Sequence, residues 1–113
     1  MHGNVSFVEL GTSDTHSSRN FFERVFGWSF HPMAQGEGWF QAPLIRIGLH
    51  GNDPEPRVYV FFEVPELEQA VARVREAGGE ADSPDEPTPG FGRFAHCRDP
   101  QGIRFGLHQR PDD

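Results

Sequence analysis

The sequence predicts an α+β domain assembled from two βαβββ units in tandem. Three observations predict it: a hexapeptide that occurs twice, a helix signature upstream of each copy, and a strand signature upstream of each helix. Ile45-Arg46-Ile47-Gly48-Leu49-His50 returns as Ile103-Arg104-Phe105-Gly106-Leu107-His108, 58 residues later in a chain of 113. A self-similar segment at half the chain length marks a duplicated structural unit. The expected organisation is one domain over 1–113, with a first module at about 4–51 and a second at about 57–109.

The first module opens with a strand candidate, Val5–Gly11, followed by Ser13 or Asp14 as a helix N-cap. Phe21, Phe22, Val25 and Phe26 form the apolar stripe of that helix, and Gly27 supplies a left-handed stop. Two shorter strand signals lead into the first hexapeptide, and His50–Arg57 is a turn-rich linker. In the second module, Val58–Val64 is rich in β-branched and aromatic residues, as strands are. Pro65 and Glu66 suit the first turn of a helix, with the acid near the positive end of the dipole. Leu67, Ala70, Val71, Val74 and Ala77 recur on one helical face, and Gly78 and Gly79 end it. The loop 83–90 holds three prolines and reads either as a stiff connector or as the rim of a pocket. Asp99-Pro100-Gln101-Gly102 has the residue preferences of a type I turn, an architectural role for Asp99.

Composition narrows the function classes. A formal net charge of -7 disfavours nucleic-acid backbones and anionic membranes, which require a basic surface. No apolar run approaches the roughly 20 residues of a membrane helix. The single cysteine, Cys97, excludes an intrachain disulfide, and the N-terminal residues lack a secretion pattern, so the expected compartment is the cytoplasm. Eleven phenylalanines in so short a chain are enough to fill a core and line an apolar pocket.

The segments Glu9–Asp14, Phe21–Trp28, Phe62–Val64, Gly78-Gly79, Gly92–Ala95 and Asp99–Gly102, in that order, resemble the vicinal oxygen chelate superfamily. That superfamily holds glyoxalase I, bleomycin-resistance proteins and extradiol dioxygenases. The resemblance implies paired βαβββ modules whose mixed sheet curls into a cup, helices on the outer face, a small-molecule ligand inside, and a homodimer. It places the positions that carry the divalent metal in metal-dependent members near Phe7, Gly48, Tyr59 and Gly106. Phe7, Gly48 and Gly106 offer no donor side chain, and a neutral phenol at Tyr59 is a poor ligand, so the expectation is no metal cofactor.

Strand alternation adds a partition of faces. If Gly48 and Gly106 point into the cup, so do Arg46, His50, Arg104 and His108; Glu9 shares a face with Phe7, and Phe61 and Glu63 share one with Tyr59, the positions that the resemblance places inward. The opposite, helix-facing set is then Val8, Leu10, Ile45, Ile47, Leu49, Val60, Phe62, Val64, Ile103, Phe105 and Leu107, nearly all apolar. Arg46 and Arg104 either pair with Glu9 and Glu63 or bind an anionic ligand by bidentate hydrogen bonds. Trp28 reads as core, whereas Trp39, Phe40 and Phe91 lie near loops and are candidate pocket walls. The candidate ligand-binding set is Phe7, Glu9, Trp39, Phe40, Arg46, Tyr59, Phe61, Phe91 and Arg104. Glu9, His50 and His108 are the candidate catalytic residues and the alternative location of a metal. Which of His96 and Cys97 faces inward stays open.

Two functions compete on this reading. One is a metal-free protein that binds a small aromatic or amphipathic molecule; the other is a lyase, isomerase or dioxygenase with a relocated Glu/His metal site. A third possibility is a purely structural module whose interior is filled by its own side chains.

Overall fold

The computed structural model describes residues 3–111, which form two helices and eight strands in two compact units. One unit is Phe7–Tyr59; the other runs from Val60 onward and includes the N-terminal residues up to Ser6. The order of elements is β-α-β-β-β, twice.

In the first unit, β1 (Val5–Gly11) feeds α1 (Thr15–Phe26), then β2 (Ser29–Pro32), β3 (Gly38–Gln41) and β4 (Arg46–His50). The lateral order is β2-β3-β4-β1, with β4 parallel to β1 and antiparallel to β3. A parallel neighbour needs a long crossover, and α1, β2 and β3 supply it. Asp14 is the N-cap, its carboxylate accepting from the Ser17 amide at 3.0 Å, and Gly27 stops the helix in the left-handed region at φ 69°.

The core of this unit lies between α1 and one sheet face. Phe40, Ala42, Ile47 and Leu49 are buried there, with Val8, Leu10, Phe22, Trp28, Phe30 and Ile45 packed around them. The Trp28 assignment to the core holds. The four-residue stripe of α1 does not: Phe22 packs inward, while Phe21, Val25 and Phe26 are 59%, 54% and 56% exposed. Phe21 and Val25 lie one turn apart on the same flank, about 100° and 60° round from Phe22, and turn away from the sheet. Phe26 instead lays its ring on Trp28, centroids 4.4 Å apart.

The second unit repeats the plan with β5 (Arg57–Glu63), α2 (Leu67–Glu76), β6 (Glu80–Ala81), β7 (Arg93–Arg98) and β8 (Arg104–Gln109). Here β8 is parallel to β5 and antiparallel to β7. The helix begins two residues after Pro65. Glu66 is its N-cap position without a side-chain bond, and the Leu67 amide donates to Oε1 of Gln109 at 2.8 Å. A residue 42 positions away thus caps the helix. The core is Leu67, Ala70, Val71, Ala95, Cys97 and Leu107, flanked by Val64, Val74, Ala81 and Phe105. Ile103, expected on the helix side, is exposed because it precedes β8 in the turn region. In the Asp99–Gly102 turn, the Gly102 amide donates to the Asp99 carbonyl, and Oδ1 of Asp99 accepts from the Gln101 and Ile103 amides.

Candidate functional site

The two sheet faces turned away from the helices differ in kind. In the first unit, register sets a grid of side chains on three strands. Trp39 lies opposite Gly48 and Gln41 opposite Arg46; on the other flank of β4, Phe7 faces Arg46, Glu9 faces Gly48 and Gly11 faces His50. At the centre, a Cβ on Gly48 would stand 2.9 Å from Cζ of Phe7, so the Phe7 ring occupies the space a side chain at 48 would take. On β2, His31 pairs with Trp39 and stacks on it, ring centroids 4.0 Å apart and planes 9° from parallel. The Arg46 guanidinium lies 4.6 Å from the centroid of the same indole. Trp39 therefore stands, in strand order, between an imidazole and a guanidinium, an arrangement suited to flat rings and to negative charge.

At the end of β4, His50 is half exposed. Its Nδ1 lies 3.3 Å from Oδ2 of Asp53 and its Nε2 3.9 Å from Oε2 of Glu37. Tyr59, in the same unit, accepts a hydrogen bond from Nη1 of Arg57 at 3.1 Å.

In the second unit the corresponding face is filled by rings. Phe61 is fully buried opposite Gly106, where an added Cβ would run into its ring. Phe61 meets Phe94 and His96 edge-on at 5.2 and 5.4 Å, and Phe94 stacks on His108 at 4.6 Å. His108 is buried. Its Nε2 bonds the Phe91 carbonyl at 2.6 Å and its Nδ1 the Ser6 hydroxyl at 2.7 Å. A carbonyl only accepts, so the hydrogen sits on Nε2 and Ser6 donates to Nδ1. Burial holds the His108 pKa below its ordinary value, against the smaller opposing effect of the Phe91 bond. Glu63 is taken by Arg110 at 2.6 Å and receives a second bond from Asn4. The Arg110 bond first, and the Asn4 bond after it, hold the Glu63 carboxyl below the usual carboxylate range.

The candidate residues thus divide. Phe7, Glu9, Trp39, Arg46, His50 and Tyr59 fall in one unit, and Phe61, Phe91, Arg104 and His108 in the other. Phe40 is a correction: it is wholly buried under α1, opposite Ile47, because strand alternation sends it to the face opposite Trp39. His108 is a second correction, since both ring nitrogens are committed to internal partners, unlike its sequence counterpart His50. Phe91 contributes its backbone carbonyl to that bond, within a turn closed by paired Thr88 and Gly92 backbone bonds. The proline loop is thereby tied down against β7, where the Asp85 amide also bonds the Phe94 carbonyl. Arg104 is exposed and lies opposite Arg98. The open question at His96 and Cys97 resolves by alternation: Cys97 is in the α2 core, its thiol pushed up to about 11 chiefly by burial, and His96 is on the other face. His31 reads from the sequence as a surface residue and is exposed, but strand register also lays it on Trp39; Glu37 and Asp53 give no sequence signal, being brought to His50 by the line of β3 and by the turn after β4.

The strand positions that the resemblance reserves for a divalent metal do not fit one. They are a phenylalanine, two glycines crowded by Phe7 and Phe61, and a phenol bonded to Arg57. Among the described residues there is no group of three or more His, Cys, Asp or Glu side chains that could hold a metal ion.

The Glyoxalase/Bleomycin resistance protein/Dioxygenase superfamily model matches residues 4–107. The chain belongs to that superfamily. Among curated relatives, CFP32 of Mycobacterium bovis, whose name assigns it provisionally to the glyoxylases, is 29% identical over 93% of this chain and 43% of its own length. The anthracycline biosynthesis protein DnrV of Streptomyces peucetius is 26% identical over 96% of this chain and 47% of its own. The chain therefore spans about half the length of the curated relatives it matches. Methylmalonyl-CoA epimerase of Mycobacterium tuberculosis shares the fold with a TM-score of 0.75 at 15% identity, over 97% of this chain and 89% of that one. Homoprotocatechuate 2,3-dioxygenase of Brevibacterium fuscum does so with 0.77 at 20% identity, over 96% and 37%. The α+β fold of paired βαβββ modules is that of the superfamily. No described helix is long and apolar enough to cross a membrane.

Proposed function

We propose that this superfamily member binds a small, flat, anionic molecule on the Trp39 face of its first unit, without a divalent metal at the family positions. The observation that carries the reading is the Arg46 guanidinium poised 4.6 Å over an indole that already stacks on His31. With His31 and Arg46 against the indole, an aromatic ring gains edge contact with Trp39 and stacking on the Arg46 guanidinium plane, and a carboxylate or phenolate gains Arg46 as a charge partner. The name of DnrV, which ties that relative to anthracycline biosynthesis, supports flat polycyclic ligands as the class to test. The metal-dependent lyase, isomerase or dioxygenase reading has family likeness on its side, but among the described residues no group of donors could hold an ion.

Tryptophan fluorescence tests the proposal, with 1-naphthoate, its neutral alcohol analogue and an anthracycline as probes. Saturable quenching by naphthoate is expected, lost in Trp39→Phe and weakened about tenfold in Arg46→Met, the worth of a desolvated charge contact. Quenching that never saturates, or that ignores Arg46→Met, defeats the reading. Stoichiometric metal in the purified protein defeats its metal-free part. The homodimer and the cytoplasmic location belong to the same proposal; sedimentation at micromolar protein checks the first and cell fractionation the second.

A further inference from the structure

His50 sits at one end of the face that carries Trp39 and Arg46, and its surroundings are built rather than incidental. The turn after β4 doubles back: Asn52 adopts φ 60°, the Asp53 amide bonds the Thr12 carbonyl at 3.2 Å, and the Thr12 amide bonds the His50 carbonyl at 2.9 Å. This brings the Asp53 carboxylate against the backbone of Gly11, where any Cβ would collide with Oδ2. Glycine at 11 is what lets that carboxylate reach Nδ1 of the imidazole. On the other side, Glu37 continues the line of β3 beside His50, and its Oε2 is fixed by the Gly51 amide at 2.8 Å. Thr15 packs its methyl near Gly51. The charged groups around the ring are therefore Asp53 at Nδ1 and Glu37 near Nε2.

We propose that His50 is a proton acceptor for the molecule bound on the Trp39 face, with Asp53 as its positioning residue; this rests on the binding site proposed above. A carboxylate only accepts hydrogen bonds, so Asp53 holds the ring hydrogen on Nδ1 and leaves the Nε2 lone pair free to take a proton. Glu37, 3.9 Å from Nε2, is too far to bond it and leaves that nitrogen open to the ligand. Arg46, Gly48 and His50 share one strand face, with about 13 Å between the first and last Cα positions. A two-ring ligand lying across the Phe7 ring, which fills the space over Gly48, thus places one end at Arg46 and the other towards His50. The substrate class is a flat carbon or hydroxyl acid. Its proton passes to Nε2, its bonding pair stays on the ligand, and the resulting anion is held by Arg46.

The test uses 5-nitrobenzisoxazole, a flat carbon acid whose base-promoted opening needs no other reagent. The base removes the C3 proton, the C–H pair becomes the third carbon–nitrogen bond, the N–O bond breaks, and a coloured phenoxide results. Expected are turnover above that of equimolar free imidazole, a loss of at least tenfold in kcat/KM in His50→Ala and His50→Gln, and a fall of fivefold or more in kcat for Asp53→Asn with KM unchanged. Nitrogen NMR at pH 8.5 should find the His50 proton on Nδ1 in the parent and redistributed in Asp53→Asn. Turnover no better than imidazole, an unaffected His50→Ala, or a parent proton on Nε2 overturns the proposal. Naphthoate quenching of Trp39 in His50→Ala separates the two claims: where it persists, only the proton-acceptor role falls; where the parent lacks it, the binding site falls too.

Discussion

Replacing His108 should cost the protein stability and remove a specific part of its pH dependence. The buried imidazole bonds the Phe91 carbonyl and the Ser6 hydroxyl and stacks on Phe94. His108→Ala strands a carbonyl in a partly buried turn, worth about 1–3 kcal/mol, and forfeits a ring pair worth about 0.5–1.5 kcal/mol. Taken together, the loss expected is about 2–4 kcal/mol. The pH dependence follows from burial, which depresses the folded-state pKa below that of the unfolded chain. In the window between the two, the unfolded state binds more protons. The contribution is then complete above about pH 6.5 and fades as the pH drops through that value towards the folded pKa, with a slope of at most about 1.4 kcal/mol per pH unit. Urea melts at pH 8.0 and 5.5 on the parent and on His108→Ala measure both effects. A parent and variant with the same stability difference between the two pH values would refute the claim that this imidazole is buried neutral.

Three further outcomes bear on the packing that shapes the face. Phe40→Ala empties the centre of the first core and should destabilise by about 3–5 kcal/mol in chemical denaturation, whereas a pocket-wall residue would change ligand affinity with little loss of stability. Gly106→Val drives a side chain into the Phe61 ring and should cost about 1–3 kcal/mol in thermal melts, part of it recovered by adding Phe61→Ala. Cys97, buried and with its thiol pushed up to about 11, should react with a disulfide reagent at pH 8 only as fast as the protein opens; rapid stoichiometric labelling of the native protein would contradict its place in the α2 core.

Much of the local architecture was legible. The bounds of β1, a cap at Ser13 or Asp14, the Gly27 stop and the Asp99 turn are set by residues within a few positions of one another, and short-range chemistry suffices to read them. The helix-facing apolar set was also legible in most of its members, since alternation needs only one correctly placed strand. Long-range bonds were not. Gln109 caps α2 from 42 residues away, and Ser6 reaches His108 from 102 away; no periodicity reports either. The width of α1's contact was misjudged for a related reason, because how much of an apolar stripe is covered depends on the breadth of the sheet beneath it.

By itself, the sequence determined that the chain is a duplicated βαβββ protein, and which residues alternate to which side of each strand. Only the tertiary structure decided that two matching histidines lead different lives. His50 lies at an open strand end between two carboxylates, while His108 is sealed among rings with both nitrogens spent. The hexapeptides around them are almost the same, so the difference comes from what the rest of each unit lays against them. Burial and hydrogen-bond partners belong to neighbours in space, and a repeated motif does not encode its neighbours.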